Sequence, residues 1–285
     1  MTSIKKVIYV SGATGLLGRE VSKYLFEKGF NLLLGGRNKL ELAKLAGEYS
    51  NIFKEQVVGF VNCDLSKPDS WEDVFLTFEE NEFSGYVNCS GVQGPIGPIT
   101  DIDIQDYSQV FNVNLISAIF FTKYFLSRKN KSDELSIIHF SGGGAASPRP
   151  QFSPYSLSKT ALVRFVENVA SECPNIQTKI NVIAPGILPS QMQTQILQSA
   201  ILKGSKEHES ASNSLIGRMA VDPRLLELIV FLMTDVSRGI TGKLISAKWD
   251  NWSVWPKHLD DLEGSELYTL RRITARDRGH SWGDF

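Results

Sequence analysis

Tyr155 and Lys159 close the stretch "FSGGGAASPRPQFSPYSLSK", residues 140–159. Four residues apart, they fall on one face of a helix. A free tyrosine ionises near pH 10, a poor match for proton transfer at neutral pH. An ammonium held about 6 Å from the phenol, at an effective dielectric of about 20, favours the phenolate by roughly 2–3 kcal/mol, or about two pKa units. The pair is thus expected to act as a usable acid/base, with Lys159 also able to hold hydroxyl groups of a bound molecule. At the start of the stretch, where such a pair would want a hydroxyl partner, stand Ser141 and three glycines, Gly142 to Gly144.

The second candidate site lies near the N-terminus, in "VSGATGLLGRE". Gly12, Gly15 and Gly18, with Thr14 and Leu17 between them, fall between a short apolar run and a helical pattern. Glycines there let the backbone turn tightly and approach a pyrophosphate, which the helix N-terminus stabilises. A dinucleotide is the expected ligand. After the second apolar run the sequence reads "LGGRNK", with no carboxylate to hold a ribose 2′-hydroxyl but with Arg37 and Asn38 to meet a 2′-phosphate. NADP(H) is therefore expected over NAD(H). Asp64 and Leu65, in "NCDLS", come after the third run, where Asp64 either reaches the adenine or caps a turn. Asn88 and Gly91, in "NCSG", are expected on the adenosine side of the crevice.

These segments need a scaffold, and the patterning supplies one. Near-continuous apolar runs ("KVIYVSG", "FNLLLGG", "QVVGFVNCD", "SGYVNCSG", "LSIIHFS", "KINVIAPG", "GKLISA") alternate with helical patterns, including long ones over 105–128 and 154–172. Alternation of this kind predicts an α/β fold, a doubly wound, mainly parallel sheet with helices on both faces. The domain is expected to span 1–248, with a polar, lid-like connection over 187–214. The tail 249–285 carries four of the five tryptophans and is expected to pack on its own domain or on a partner subunit.

In order, "SGATGLLG", "CDLS", "NCSG", "VFNVNL", "IIHFS", "YSLSK", "INVIAPGILPSQM" and "TGKLIS" resemble the short-chain dehydrogenase/reductase family over residues 4–248. The resemblance implies an NAD(P)-binding Rossmann fold and hydride transfer between nicotinamide and a carbonyl/alcohol pair. It implies Tyr155 as general acid/base, Lys159 as its partner and Asn114 as holder of a water tied to the lysine. Pro185 and Gly186 would flank the nicotinamide, and Ser190 would contact its carboxamide. The family's catalytic serine position falls on Gly142, so the carbonyl donor is expected to be Ser141, Ser153 or an N–H of the glycine run. Loss of one such donor costs about 10²–10³ in rate. The glycine spacing is nearer to the family's nucleotide-sugar-handling members, which suggests a sugar or sugar nucleotide substrate. A 3-oxoacyl-thioester reductase, an epimerase or dehydratase, and a non-catalytic NADP-binding regulatory protein are the alternatives.

Composition narrows the partners. Thirty basic and 31 acidic residues give a net charge of −1, which offers no pull towards nucleic acid or acidic lipid. The apolar runs are too short to cross a bilayer, and no signal-peptide pattern opens the chain. Cys63, Cys89 and Cys173 are odd in number and lack CxxC spacing, so they read as small apolar residues in a reducing, cytoplasmic compartment. His139 reads as a core residue inside a strand. His208, His258 and His280 are scattered, so no metal is expected. Arg271, Arg272, Arg276 and Arg278 read as a solvated basic face, with Arg149 the better placed contact for an anion. The resemblance further implies a homodimer or homotetramer.

Overall fold

The structure, a computed structural model, describes residues 6–52, 56–78, 82–129, 134–173, 177–216 and 221–282. Seven parallel strands form one sheet: β1 (Val7–Ser11), β2 (Asn31–Gly36), β3 (Val58–Asn62), β4 (Phe83–Asn88), β5 (Leu135–Phe140), β6 (Thr178–Ala184) and β7 (Leu244–Ser246). Their spatial order is β3-β2-β1-β4-β5-β6-β7. β1 and β5 are buried along their whole length, as expected for strands covered on both faces. The order reverses between β1 and β4, and a crevice opens at the carboxyl ends of the strands there. The expected fold is thereby confirmed.

Helices α1 (Leu16–Glu27), α2 (Lys39–Ile52) and α3 (Trp71–Phe78) follow the first three strands. Asn38 caps α2 by accepting from the Glu41 N–H at 3.2 Å, the capping arrangement that the spacing of these two residues suggests. The long helix expected over 105–128 forms as α4 (Ile104–Phe111), a π-helical turn (Asn112–Ile116) and α5 (Ser117–Arg128). Its 25 residues are long and apolar enough to cross a bilayer, but half of the most apolar stretch is buried inside the fold, as in a core helix. α6 (Ser153–Glu172) carries Tyr155 and Lys159, and its Pro154 lies in the first turn, where a missing N–H costs nothing.

The polar connection 187–214 is not a plain loop. It folds into α7 (Gln191–Gln198) and α8 (Lys206–Ile216), with Ile196, Leu202 and Ala211 packed on the fully buried Phe152. α9 (Pro223–Met233) then leads to β7. The tail returns along its own domain. Trp252, Trp255 and Leu262, the last in α10 (Leu259–Leu262), join the main core, while Trp249 and Trp282 stay exposed. The ammonium of buried Lys243 donates to the carbonyls of Leu262, Ser265 and Leu267 at 2.8–3.2 Å. The Leu244 N–H donates to the Tyr268 carbonyl at 2.8 Å, so the tail covers part of the sheet's free edge, which would otherwise present unpaired backbone.

Candidate active site

A cavity of about 1410 Å³ runs along the carboxyl ends of the strands. At one end it is lined by Gly12, Thr14, Gly15, Leu17, Arg37, Asp64 and Leu65; Gly91, expected on the adenosine side, lies instead toward the other end, where a Cβ on it would stand 3.6 Å from Lys159 Nζ. Gly12 has φ +68°, and a Cβ there would lie 2.9 Å from the Ser90 backbone nitrogen. Gly18 does not line the cavity. A Cβ on it would stand 2.1 Å from the Gly12 carbonyl oxygen, so its lack of a side chain lets α1 close against the turn. No side chain caps α1 and no acidic residue sits in its first turn, which leaves its leading N–H groups and positive dipole end for an anion. These residues fit a dinucleotide pyrophosphate.

Arg37 is exposed at the same end, with its carbonyl accepting from the Asn62 amide at 2.8 Å. Partial burial acts to raise the Asp64 pKa, but hydrogen bonds from the Ser66 hydroxyl and N–H, with the charges of Arg37 and Lys67, hold it below the ordinary value. Asp64 therefore caps its own turn and also lines the cavity. Asn38 and Asn88 sit elsewhere than expected. Asn38 stands at the start of α2 and does not reach the cavity. Asn88 is buried, accepting from the Ser11 hydroxyl at 2.8 Å and lying 3.3 Å from His139 Nδ1. Both support the crevice without lining it.

At the other end Ser141, Tyr155, Lys159, Pro185, Gly186 and Ser190 line the cavity. Lys159 Nζ lies 5.9 Å from the centre of the Tyr155 ring and donates to the Phe140 carbonyl at 2.9 Å. Burial brings the Lys159 pKa down to about 8. The lowered tyrosine pKa expected from the sequence is not found. Burial raises the Tyr155 phenol above its ordinary value, and the charge opposing that rise most clearly is Arg149. The desolvation cost of a phenolate inside the fold outweighs the attraction of nearby cations.

Gly142 has a steric role. A Cβ there would lie 2.1 Å from the Tyr155 hydroxyl oxygen, so the phenol stands where a serine side chain would begin. Ser141 is nearly buried, its N–H donates to the Ile183 carbonyl at 2.8 Å, and it faces the same cavity. Ser153, the alternative hydroxyl, is not among the lining residues. Asn114 is buried within the π-helical turn. Its amide pairs with both backbone groups of Val92 at 2.8 Å and donates to Ser158 Oγ at 3.0 Å, which in turn donates to the Tyr155 carbonyl at 2.7 Å. Asn114 therefore braces the helix that carries the tyrosine rather than lining the cavity.

His139 is a core residue, as expected: it lies 3.0 Å from Thr122 Oγ1, and burial, assisted by the Lys159 charge, lowers its pKa to about 3. Among the described residues no group of three or more His, Cys, Asp and Glu side chains is placed to hold a metal. Sequence reasoning missed Gln93, Asp106, Gln109 and Glu207, all of which line the cavity. Position two after Gly91 was a signal for Gln93. For Asp106, Gln109 and Glu207, on the helices α4 and α8, no local signal existed.

The model of the family described as short chain dehydrogenase matches residues 6–200, and the chain belongs to that family, an oxidoreductase with a Rossmann fold. Among curated relatives, dehydrogenase/reductase SDR family member 4 from Caenorhabditis elegans is 25% identical over 241 residues, 84% of this chain and 92% of that one. Among solved structures, a short chain dehydrogenase from Salmonella enterica serovar Typhi CT18 has a TM-score of 0.73 at 22% identity, covering 86% of this chain and 96% of that one. A short chain dehydrogenase from Escherichia coli CFT073, complexed with NADPH, has a TM-score of 0.70 at 22% identity, covering 86% and 98%.

Proposed function

We propose that the chain is an NADP(H)-dependent oxidoreductase of carbonyl and alcohol substrates, with a sugar or sugar nucleotide as the substrate class. The observation that carries this reading is the placing of Tyr155 and Lys159 in the same cavity as the Gly12–Gly15 turn, the uncapped α1 and Arg37. The cofactor, when bound, supplies or accepts the hydride. Gly12, Gly15 and the α1 N-terminus receive its pyrophosphate, and Arg37 its 2′-phosphate. A fold neighbour carries NADPH, which is consistent with that choice.

Tyr155, protonated at neutral pH like any phenol and made a weaker acid by its burial, donates its proton to the carbonyl oxygen as reduction proceeds. Lys159, placed by its bond to the Phe140 carbonyl, keeps positive charge near the phenol. Ser141 is the hydroxyl that grips the carbonyl in place of the one Gly142 lacks. Pro185, Gly186 and Ser190 border the nicotinamide end. Gln93, Gln109 and Asp106 offer donors and acceptors suited to a polyhydroxylated substrate. Cytoplasmic placement is supported by the three free thiols, and a dimer or tetramer by the exposed Ile116 and Leu157 on the neighbouring π-helical turn and α6.

Steady-state NADPH oxidation against a panel of aldoses, ketoses and sugar nucleotides tests the reading. Tyr155→Phe is expected to lower turnover by about 10²–10⁴-fold, the range for a general acid; equal rates in variant and wild type would remove Tyr155 from the chemistry. In direct binding, Arg37→Ala is expected to weaken NADPH by about ten- to hundredfold, a hydrogen bond to a charged group, and to leave NADH alone. Tighter NADH binding by the wild type would reverse the cofactor assignment.

A further inference from the structure

Gly142 leaves room for the Tyr155 hydroxyl, and the side chain of Arg149 passes at ordinary contact distance from its neighbour Gly143. A Cβ on Gly142 would meet the Tyr155 hydroxyl, and a Cβ on Gly143 would lie 3.5–3.6 Å from the side chain of Arg149. The two groups thus approach neighbouring residues of one backbone segment, whose Cα atoms are about 3.8 Å apart. Arg149 is held firmly. Its Nε and Nη2 donate to the two carboxylate oxygens of Glu207 at 2.9 and 2.7 Å, and its guanidinium lies 3.7 Å from the centre of the Phe152 ring. Phe152 is fully buried, one residue before α6 begins, and Glu207 belongs to α8.

We infer that Arg149 is a positioning residue for the acid/base tyrosine: held over the Gly142–Gly143 segment that the phenol also approaches, its guanidinium acts on the Tyr155 phenol, and Glu207 from α8 moderates that action. The inference rests on the reading of Tyr155 as the proton donor. The other charged groups that share the phenol's cavity are Lys159 from the same helix, Lys206 from α8, Asp106 from α4 and, at the far end after β2 and β3, Arg37 and Asp64; His139 on β5 is neutral. Arg149 differs from these in having a dedicated carboxylate partner 58 residues away in sequence. The charge of Arg149 also opposes the burial that raises the Tyr155 pKa. Removing Arg149 therefore makes the phenol a weaker acid, and removing Glu207 makes it a stronger one. Loss of a merely structural brace would disturb the site in the same way from either half, whereas loss of a charge felt by the phenol moves its titration in opposite directions.

The test places 3,5-difluorotyrosine, whose lower pKa keeps the titration within the folded range, at position 155 and follows its ¹⁹F resonance against pH without cofactor. Arg149→Met is expected to raise the midpoint by about one pH unit, a tenfold change in the ionisation constant. Arg149→Lys is expected to restore most of the shift, and Glu207→Gln to lower the midpoint. In the unlabelled enzyme, the alkaline limb of the carbonyl-reduction profile should move in the same directions. Midpoints that coincide in all variants, or that move the same way in Arg149→Met and Glu207→Gln, overturn the inference; Arg149→Lys and Glu207→Gln keep it testable if Arg149→Met unfolds. Because the resonance is read without turnover, a protein that reduces nothing sinks the catalytic reading while the titration still decides this one.

Discussion

Two glycine-rich turns flank this cavity, and they use glycine for different reasons. The first, Gly12 to Gly18, follows β1 and opens α1; the second, Gly142 to Gly144, follows β5 and precedes α6. In the first, the neighbours that exclude a side chain are mainly backbone: the Gly12 carbonyl for Gly18, and the Ser90 nitrogen and Cys89 carbon for Gly12. In the second they are side chains: the Tyr155 hydroxyl for Gly142 and the Ser156 hydroxyl for Gly144, each 2.1 Å from the would-be Cβ. Backbone cannot move without disturbing the strands and helix it joins, whereas a side chain can turn. The first turn therefore belongs to the fold and to the proposed anion site together, and the second sets the position of the proposed proton donor.

The largest effect expected from this contrast is that of Gly18→Ala. The added methyl meets backbone at 2.1 Å, so α1 must lift from the turn that it closes. Overpacking against an unyielding neighbour costs about 3 kcal/mol, a fall in Tm of roughly 6–10 °C for a chain of this size. Thermal melts and NADPH titration should both register the change. A variant that melts within about 1 °C of wild type would mean that α1 can shift freely, and the distinction between the two turns would collapse.

Gly142→Ala is expected to be milder for stability and severe for turnover. Its methyl would displace the Tyr155 hydroxyl into the adjoining cavity, at a cost of about 1 kcal/mol. A reacting group moved by an ångström can lose about 10²-fold in rate, so turnover should fall by that order while NADPH affinity holds. Gly142→Ser, which adds a hydroxyl at the position where the family resemblance would put the catalytic serine, is expected to share the loss rather than raise the rate. An unimpaired Gly142→Ser would show that the tyrosine has a second workable position.

How these two turns appear in the sequence follows the same division. The anion turn was readable because its requirements are local: glycines, a preceding apolar run and a following helical pattern. The strands were readable because burial on both faces leaves nearly unbroken apolar runs such as "VIYV". Tyr155 and Lys159 were readable from helical spacing. The direction of the Tyr155 pKa was not, because burial is a property of the assembled core and outweighs the one charge visible at i+4. Nor was the Arg149–Glu207 pair, which joins residues 58 apart. The helices α7 and α8 were read as a polar connection because few buried residues, Ile196, Leu202 and Ala211 among them, anchor them. The π-helical turn at Asn112–Ile116 adds its offset inside an otherwise regular apolar helix, where periodicity smooths over it.

The smallest effect sharpens the contrast within the second turn itself. Gly143 lies between the two crowded glycines, but the nearest neighbours of its would-be Cβ are atoms of the Arg149 side chain at ordinary contact distance, and its φ is not among the positive ones. Gly143→Ala should therefore stabilise the protein by about 0.5 kcal/mol, because alanine gives the unfolded chain fewer conformations to lose. Its rate should fall far less than that of Gly142→Ala, since the methyl touches the arginine and not the phenol. Chemical denaturation of the two variants side by side provides the measurement. If Gly143→Ala loses as much stability or rate as Gly142→Ala, the run behaves as one strained backbone unit, and the reading of the second turn as a set of separate side-chain clearances is wrong.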